Sequence, residues 1–293
     1  MASTYLITGA KGQLGSEWVR ELNKRESDFH AYGSDELDIT DINNLETIIG
    51  RIKPDIIINT AAYTKVDQAE DEPERAIGVN GEGVENLAKI SEKYGTRLVH
   101  YSTDYVFPGT MKDKFTYPGG YSEEQPTNPI NAYGKSKLRG EQVIKQIMSD
   151  YLIIRIAWLC GSFGHNFIKT ILRLGREKKE LKVVNDQYGS PTYTNNVVLN
   201  TIALLNANRF GLFHLTSNGL ITWFELANEI MNMTGLDTNI IPVTSDEFPA
   251  KAKRPKFSKL NTNKIGAVPG VQLIDWKEGL AGLLEELIKT SEQ

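Results

Sequence analysis

A single cysteine, Cys160, among 293 residues excludes an intrachain disulfide and a cysteine metal cluster, and it suits a reducing compartment. No stretch approaches the roughly 18 apolar residues of a membrane span. The opening string MASTYLITGAKG has too short an apolar run and no basic flank for a signal peptide. A cytoplasmic protein with no membrane partner is expected. Positive charge is also in short supply: 33 Lys and Arg against 37 Asp and Glu leave a formal charge of -4. Nucleic-acid binding that relies on a basic field is therefore excluded, and a small-molecule partner is expected instead. Internal repeats and low-complexity segments are absent as well.

What is present is alternation. Short β-branched, apolar runs recur at 4–9, 29–33, 55–60, 97–102 and 151–157. Between them lie segments such as LGSEWVRELNKR and GVENLAKISEKYG, where apolar residues return every three or four positions. Strands alternating with helices imply a parallel sheet covered on both faces, a doubly wound α/β fold. Apolar residues make up 40% of the chain, enough for a large core. The length suggests one large domain with an extension, or two intergrown ones. The first is expected over 1–157, rejoined by strands at 181–186 and 211–216, and a smaller lobe over most of 158–293. Helices are expected at 222–234 and 276–289, with a polar, loop-like segment between them.

The first strand runs into GAKGQLG, placing Gly9, Gly12 and Gly15 in a G-x-x-G-x-x-G turn that opens a helix. Glycine permits the tight turn and lets the backbone approach a pyrophosphate, and the helix N-terminus offers free N–H groups to the phosphates. In this strand-to-helix context the triplet signals a dinucleotide site. The second strand ends AYGSDELDITD, where Asp35 is placed to accept the adenosine ribose hydroxyls. No Arg or Lys stands in that stretch to pair with a 2′-phosphate, which leans to NADH. Asp38 and Ile39 are assigned to the adenine, and Asp41 is equally well a helix cap.

Two further patterns carry chemistry. LVHYSTDYVF at 98–107 ends a buried strand in Ser102, Thr103 and Asp104, where open α/β sheets bind ligands. Those residues are also common turn formers. In YGKSK, Tyr133 and Lys137 are four apart and share one helix face. A lysine ammonium near a tyrosine hydroxyl favours phenolate and makes the tyrosine a usable proton donor.

With glycine turn, strand end and Y-x-x-x-K together, the chain resembles the extended short-chain dehydrogenase/reductase superfamily. The strings NTAAYTKVDQAE, VHYSTDYVFPG, NAYGKSKLRGE, NDQYGSPT and RPKFSKLNT are similar to those of the dTDP-4-dehydrorhamnose reductases within it. The resemblance implies a Rossmann-type sheet with a smaller, intergrown C-terminal α/β lobe for the nucleotide sugar. It also implies NADPH or NADH as cofactor, and reduction of the C4 ketone of dTDP-4-dehydro-L-rhamnose to dTDP-L-rhamnose. Thr103, Tyr133 and Lys137 would be the catalytic group, with Tyr133 the proton donor. Gly9, Gly12, Gln13, Leu14 and Gly15 would face the pyrophosphate. Ala61, Ala62, Tyr63, Thr64 and Tyr101, with Tyr133 and Lys137, would hold the nicotinamide half. Asp104 would touch the sugar. Trp158 is either a stacking partner for thymine or a core residue. Arg254 is either a ligand of the diphosphate or part of a solvated charge cluster.

Rival activities leave different marks. A dehydratase of this superfamily carries Asp-Glu after the catalytic Thr, and here Asp104 precedes Tyr105. An epimerase recycles its nicotinamide and so separates from a reductase by stoichiometry. A non-catalytic regulatory subunit has no need of the Tyr or the Lys, yet both are present. Some relatives are metal-bridged dimers with acidic ligands, to which Glu17 and Glu285 or Glu286 would correspond. Asn195 stands where a third acid is expected, and a neutral amide weakens a hard-cation site. No metal, a mainly monomeric protein and an exposed Glu17 are therefore expected.

Overall fold

The computed structural model describes residues 3–248 and 250–291. Strands β1 (Tyr5–Thr8), β2 (Phe29–Tyr32), β3 (Ile56–Asn59), β4 (Arg97–Thr103) and β5 (Tyr151–Ile156) join a sixth, Gly211–His214, in one parallel sheet. Their spatial order is β2, β1, β3, β4, β5, then Gly211–His214. The direction of progression reverses between β1 and β3, the switch point beyond which doubly wound sheets hold their ligands.

Because successive strand side chains point to opposite faces, each strand feeds two cores. Ile7, Ile58, Val99 and Ile154 pack on one face, against Trp18 and Leu22 of α1 (Gln13–Lys24) and against Val197, Val198 and Ile202. Leu6, Ile57, Leu98 and Ile153 pack on the other, against α2 (Ile42–Ile52), α4 (Val84–Tyr94) and α6 (Ala132–Ile147). Between these helices lie the shorter α3 (Pro73–Ile77) and α5 (Met111–Thr116). The eight strand residues are wholly buried, each contributing about 1.5–3 kcal/mol. Asp41 is the N-cap of α2, its carboxylate accepting from the N–H groups of Asn43 and Asn44.

The strand expected at 181–186 does not rejoin this sheet. Glu180–Val184 pairs instead, in parallel, with Asn239–Val243 in a separate two-stranded sheet. Its side chains alternate exposed and buried, with Lys182 facing outward, so only one of its faces is covered. The main strands, buried on both faces, are the other kind. The 211–216 expectation holds, since Gly211–His214 lies against β5. A further core of Ile168, Ile171, Leu226, Ile230, Leu280 and Leu284 lies under the two-stranded sheet and the helices Phe167–Glu177, Trp223–Thr234 and Trp276–Ser291. The segment read as a polar loop is not wholly polar, because Phe257 and Leu260 are buried against Phe107 and Tyr121.

Candidate active site

At the end of β1 the chain turns through Gly9, whose φ is +67°. A Cβ on Gly9 would lie 2.6 Å from the Ala61 nitrogen, and one on Gly15 would lie 2.4 Å from the Gly9 carbonyl oxygen. Only glycine fits either place. Gly12 donates its N–H to the Gly9 carbonyl at 2.9 Å and is the N-cap of α1, which has no side-chain cap and no acid in its first turn. That leaves backbone donors and the positive end of the helix for an anion. Gln13 reaches across to the later lobe, donating to the Leu159 carbonyl (3.2 Å) and accepting from Asn166 (2.7 Å). Leu14 is buried in the core, so any contact it makes with a cofactor comes from its backbone.

The expectation that no basic residue stands at the end of β2 is corrected. Lys11, inside the glycine turn, places its ammonium 2.8 Å from Asp35, both side chains being exposed. Asp35 is held below the ordinary carboxylate range chiefly by that hydrogen bond. Asp38, which is exposed, accepts from the Thr40 N–H and hydroxyl through Oδ1, and the Ile39 side chain is buried in the core. After β3, Ala61 and Ala62 are half-buried, Tyr63 is buried and Thr64 exposed. Asn80 fixes this loop: it accepts from the Tyr63 N–H (2.9 Å) and donates to the Tyr63 carbonyl (3.0 Å) and to Ser136 on α6 (2.9 Å). Nothing local in the sequence distinguished Asn80.

Tyr133 and Lys137 lie on the first turns of α6, whose N-cap Asn131 accepts from the Gly134 N–H at 2.7 Å. Gly134 lets the helix start sit against the turn after β4, since a Cβ there would lie 2.3 Å from the Tyr105 carbonyl oxygen. The Tyr133 and Tyr105 rings meet edge-on at 5.8 Å. The Thr103 hydroxyl donates to Asp104 at 2.9 Å and accepts from the Tyr105 N–H, and it lies beside the Tyr133 hydroxyl. Strand end and helix thus converge on one pair of hydroxyls.

The electrostatics differ from the simple expectation of a lysine lowering the tyrosine. Burial, then the Asp104 charge, push the Tyr133 hydroxyl above its ordinary value. Lys137 is buried and donates to the Tyr101 carbonyl (2.6 Å), beside His100 (3.3 Å). Burial brings it down to about 8, against the opposing pull of Glu141. Tyr101 contributes that carbonyl alone, because its hydroxyl is held on the far face of the sheet by Trp18 and Thr201, both at 2.9 Å. Burial also raises Asp104 to about 7, and its Oδ2 is a buried carboxyl oxygen without a hydrogen-bond partner.

Beside this group opens a cavity of about 1400 Å³, lined in part by Tyr105, Phe167, Trp223, Phe248, Arg254 and Lys256. Arg254 faces it while paired with Asp67, at 2.7 and 3.1 Å, so it is neither free nor merely solvated. Trp158, at a φ of +47°, stacks on Trp223 with centroids 3.6 Å apart. One face of its indole is thus already occupied. Glu17, expected to be exposed, is only 3% exposed, accepting from Arg20 (2.5 Å) and Thr194 (3.1 Å). Arg20 also pairs with Glu286.

A doubly wound sheet with an uncapped glycine turn at its switch point, and a Thr at the end of β4 beside a Tyr and a Lys on α6, defines a nucleotide-dependent short-chain dehydrogenase/reductase. The family model described as RmlD substrate binding domain matches residues 3–289, and the chain belongs to that family. It is 40% identical to the spore coat polysaccharide biosynthesis protein SpsK of Bacillus subtilis, the match covering 96% of both chains. It is 36% identical to the dTDP-4-dehydrorhamnose reductase of Escherichia coli, over 98% of both. The dTDP-4-dehydrorhamnose reductase of Bacillus anthracis, solved in complex with NADP, superposes with a TM-score of 0.93 at 41% identity, covering 98% of this chain and all of that one.

Proposed function

We propose that the chain reduces the C4 ketone of dTDP-4-dehydro-L-rhamnose to dTDP-L-rhamnose, the last step in making that activated sugar. The observation that carries this reading is the pair of hydroxyls, Thr103 at the carboxyl end of β4 and Tyr133 on α6, brought side by side above a buried lysine. The pair holds one carbonyl oxygen between two hydroxyls, and Tyr133 gives it the proton that turns ketone into alcohol. Asp104, its Oδ2 unpartnered and its carboxyl raised to about 7, is ready to hydrogen-bond a sugar hydroxyl. Arg254 and the cavity beside Tyr105 receive the nucleotide diphosphate, Asp67 holding the guanidinium in place until a phosphate shares it.

NADPH or NADH fits the residues present, since the glycine turn leaves no room for a Cβ and α1 leaves its N-terminus without a cap. When bound, the reduced nicotinamide supplies the hydride. Gly12, Gln13 and Leu14 meet the pyrophosphate through their backbone, and Lys137 binds the ribose. Asp35 meets the adenosine ribose, while Lys11 beside it supplies the positive charge that a 2′-phosphate needs. The division of labour follows the sheet: residues 1–157 with 211–214 hold the cofactor, and most of 158–293 holds the sugar nucleotide.

The protein acts in the cytoplasm as a monomer, without a bridging metal or a nucleic-acid partner. Among the described residues no helix is long and apolar enough to cross a membrane. Glu17, turned inward onto Arg20 and Thr194, is poorly placed as a bridging ligand, and Asn195 is neutral. Sedimentation with magnesium and with EDTA tests this, a magnesium-dependent dimer being the contrary result. The activity is tested with dTDP-4-dehydrorhamnose and each cofactor in turn. One reduced nicotinamide consumed per sugar is expected, and turnover without net consumption would indicate an epimerase.

A further inference from the structure

Behind Lys137 lies a chain of buried polar groups that the reaction itself does not call on. Asn59, at the end of β3, is 1% exposed, and His100, in the middle of β4, is wholly buried. Asn59 Oδ1 must be an acceptor, because the Ala61 N–H points at it from 3.1 Å and the Thr8 hydroxyl donates to it from 2.7 Å. The other end of that amide, Nδ2, is therefore the donor that faces His100 Nδ1 at 2.9 Å. A neutral imidazole that accepts at Nδ1 carries its proton on Nε2. Nε2 lies 3.3 Å from Lys137 Nζ. An ammonium has three donors and no acceptor, so it cannot accept from Nε2–H, whereas a neutral amine can.

We propose that His100, locked by Asn59 in the tautomer that bears its proton on Nε2, is a positioning residue that disfavours the Lys137 ammonium and so sets the pH at which this lysine discharges. The groups facing Lys137 are few. Glu141, one turn further along α6, favours the charged form, and the Tyr101 carbonyl accepts from either form. Tyr133 lies one turn back on the same helix. From β4 comes His100, and from β3 comes neutral Asn59 behind it. His100 itself stays uncharged, burial and then the lysine holding it well below its ordinary value. The hydrogen bonds thus run in one direction, from Asn59 to His100 to the lysine nitrogen, and they terminate well only on a neutral amine.

The inference rests on reading Lys137 as a member of the reducing site, but its test reads protonation and not turnover, so failure of the sugar assay and failure here are separate results. Full-length protein labelled with 15N in its histidine rings, and with 13C at lysine Cε, is followed by NMR from about pH 5 to about pH 9, a range that spans a free imidazole and a depressed lysine. His100 is assigned by its loss in His100→Leu, and Lys137 by its loss in Lys137→Met. The expected result is a neutral Nε2–H imidazole throughout. In Asn59→Asp, whose carboxylate accepts from Nδ1, the expected result is a switch to the Nδ1–H tautomer. The Lys137 midpoint should rise about tenfold in proton affinity or more in both Asn59→Asp and His100→Leu, the second variant removing the donor without adding a charge. An Nδ1–H tautomer in the unaltered protein would overturn the proposal, as would a Lys137 midpoint that stays put in both variants. If His100→Leu does not fold, His100→Gln takes its place, and the Asn59→Asp tautomer still decides.

Discussion

Glu141→Gln is expected to be among the most damaging single-atom-scale changes in the chain. Glu141 and Arg155 are 0% and 2% exposed, and their bond is doubled, Nε to Oε1 at 2.8 Å and Nη2 to Oε2 at 2.6 Å. Ser102 donates to the same Oε1 at 2.6 Å, and Arg155 Nη1 faces His214 Nε2 at 3.3 Å. An amide in place of the carboxylate turns one of the two short contacts into donor against donor and leaves a buried guanidinium without its counter-charge. Breaking a buried pair from one side costs about 3–5 kcal/mol. At roughly 2–4 °C per kcal/mol for a chain of this order of size, the melting temperature should fall by about 6–20 °C. Glu141→Leu with Arg155→Met removes both charges and should recover most of that loss, giving a coupling energy of about 2 kcal/mol or more in a double-mutant cycle. The pH dependence has a definite sign. Burial opposes it, but Arg155 wins and holds the Glu141 carboxyl below its ordinary 4.5, so the pair's stabilisation is fully present above that value. It is lost as pH falls through the folded value, and Glu141→Gln should lack that acid-side slope. Urea unfolding across pH gives both numbers. A Gln variant within about 1 kcal/mol of the unaltered protein would refute the reasoning.

Four further outcomes are expected. Tyr133→Phe should keep cofactor binding, measured by fluorescence titration, and lose about two to four orders of magnitude in kcat, and turnover near the original rate would remove Tyr133 as proton donor. Lys137→Ala should weaken both cofactor Kd and kcat, and if neither moves, the lysine does no more than fill a buried site. Asp104→Asn should raise the melting temperature more at pH 8 than at pH 5, because a carboxyl raised to about 7 stays protonated in the fold and its stability is lost as pH rises through the interval from 3.8 to that value. Glu17→Ala should cost about 1–3 kcal/mol, since it strands the buried Thr194 hydroxyl and removes a partner of Arg20, and a silent change would show that Glu17 is exposed after all.

What could be read from the sequence was what is settled locally. The glycine turn, the strand end at Thr103 and the Tyr133/Lys137 spacing each depend on a few neighbouring residues, and all three lie where their patterns placed them. Lys11 escaped because its partner Asp35 lies 24 residues away and only the return of β2 beside β1 brings them together. Asp67 on Arg254 and Asn80 on Tyr63 are likewise contacts made by folding. The direction in which Tyr101 points is also set by the fold, as alternation in a strand sends its side chain to the face away from Lys137 and turns its carbonyl to the lysine. The strand at 180–184 was recognisable but its partner was not, because an apolar run states that it will pair and not with which strand; Lys182 in its middle was the available hint that one face stays wet.

The Gly211–His214 strand has a consequence for how the chain can be made. It is laid down only after residues 157–210 have left the sheet and built part of the second lobe, and until then β5 has no neighbour on one side. A nascent or truncated chain that stops near residue 157 therefore carries an open edge of Leu152, Ile153, Ile154 and Arg155, three of them apolar residues suited to the middle of a sheet and the fourth with its charge held on Glu141. Such a fragment is a template for pairing with its own kind. A chain cut near residue 157 is therefore not expected to fold as an independent domain.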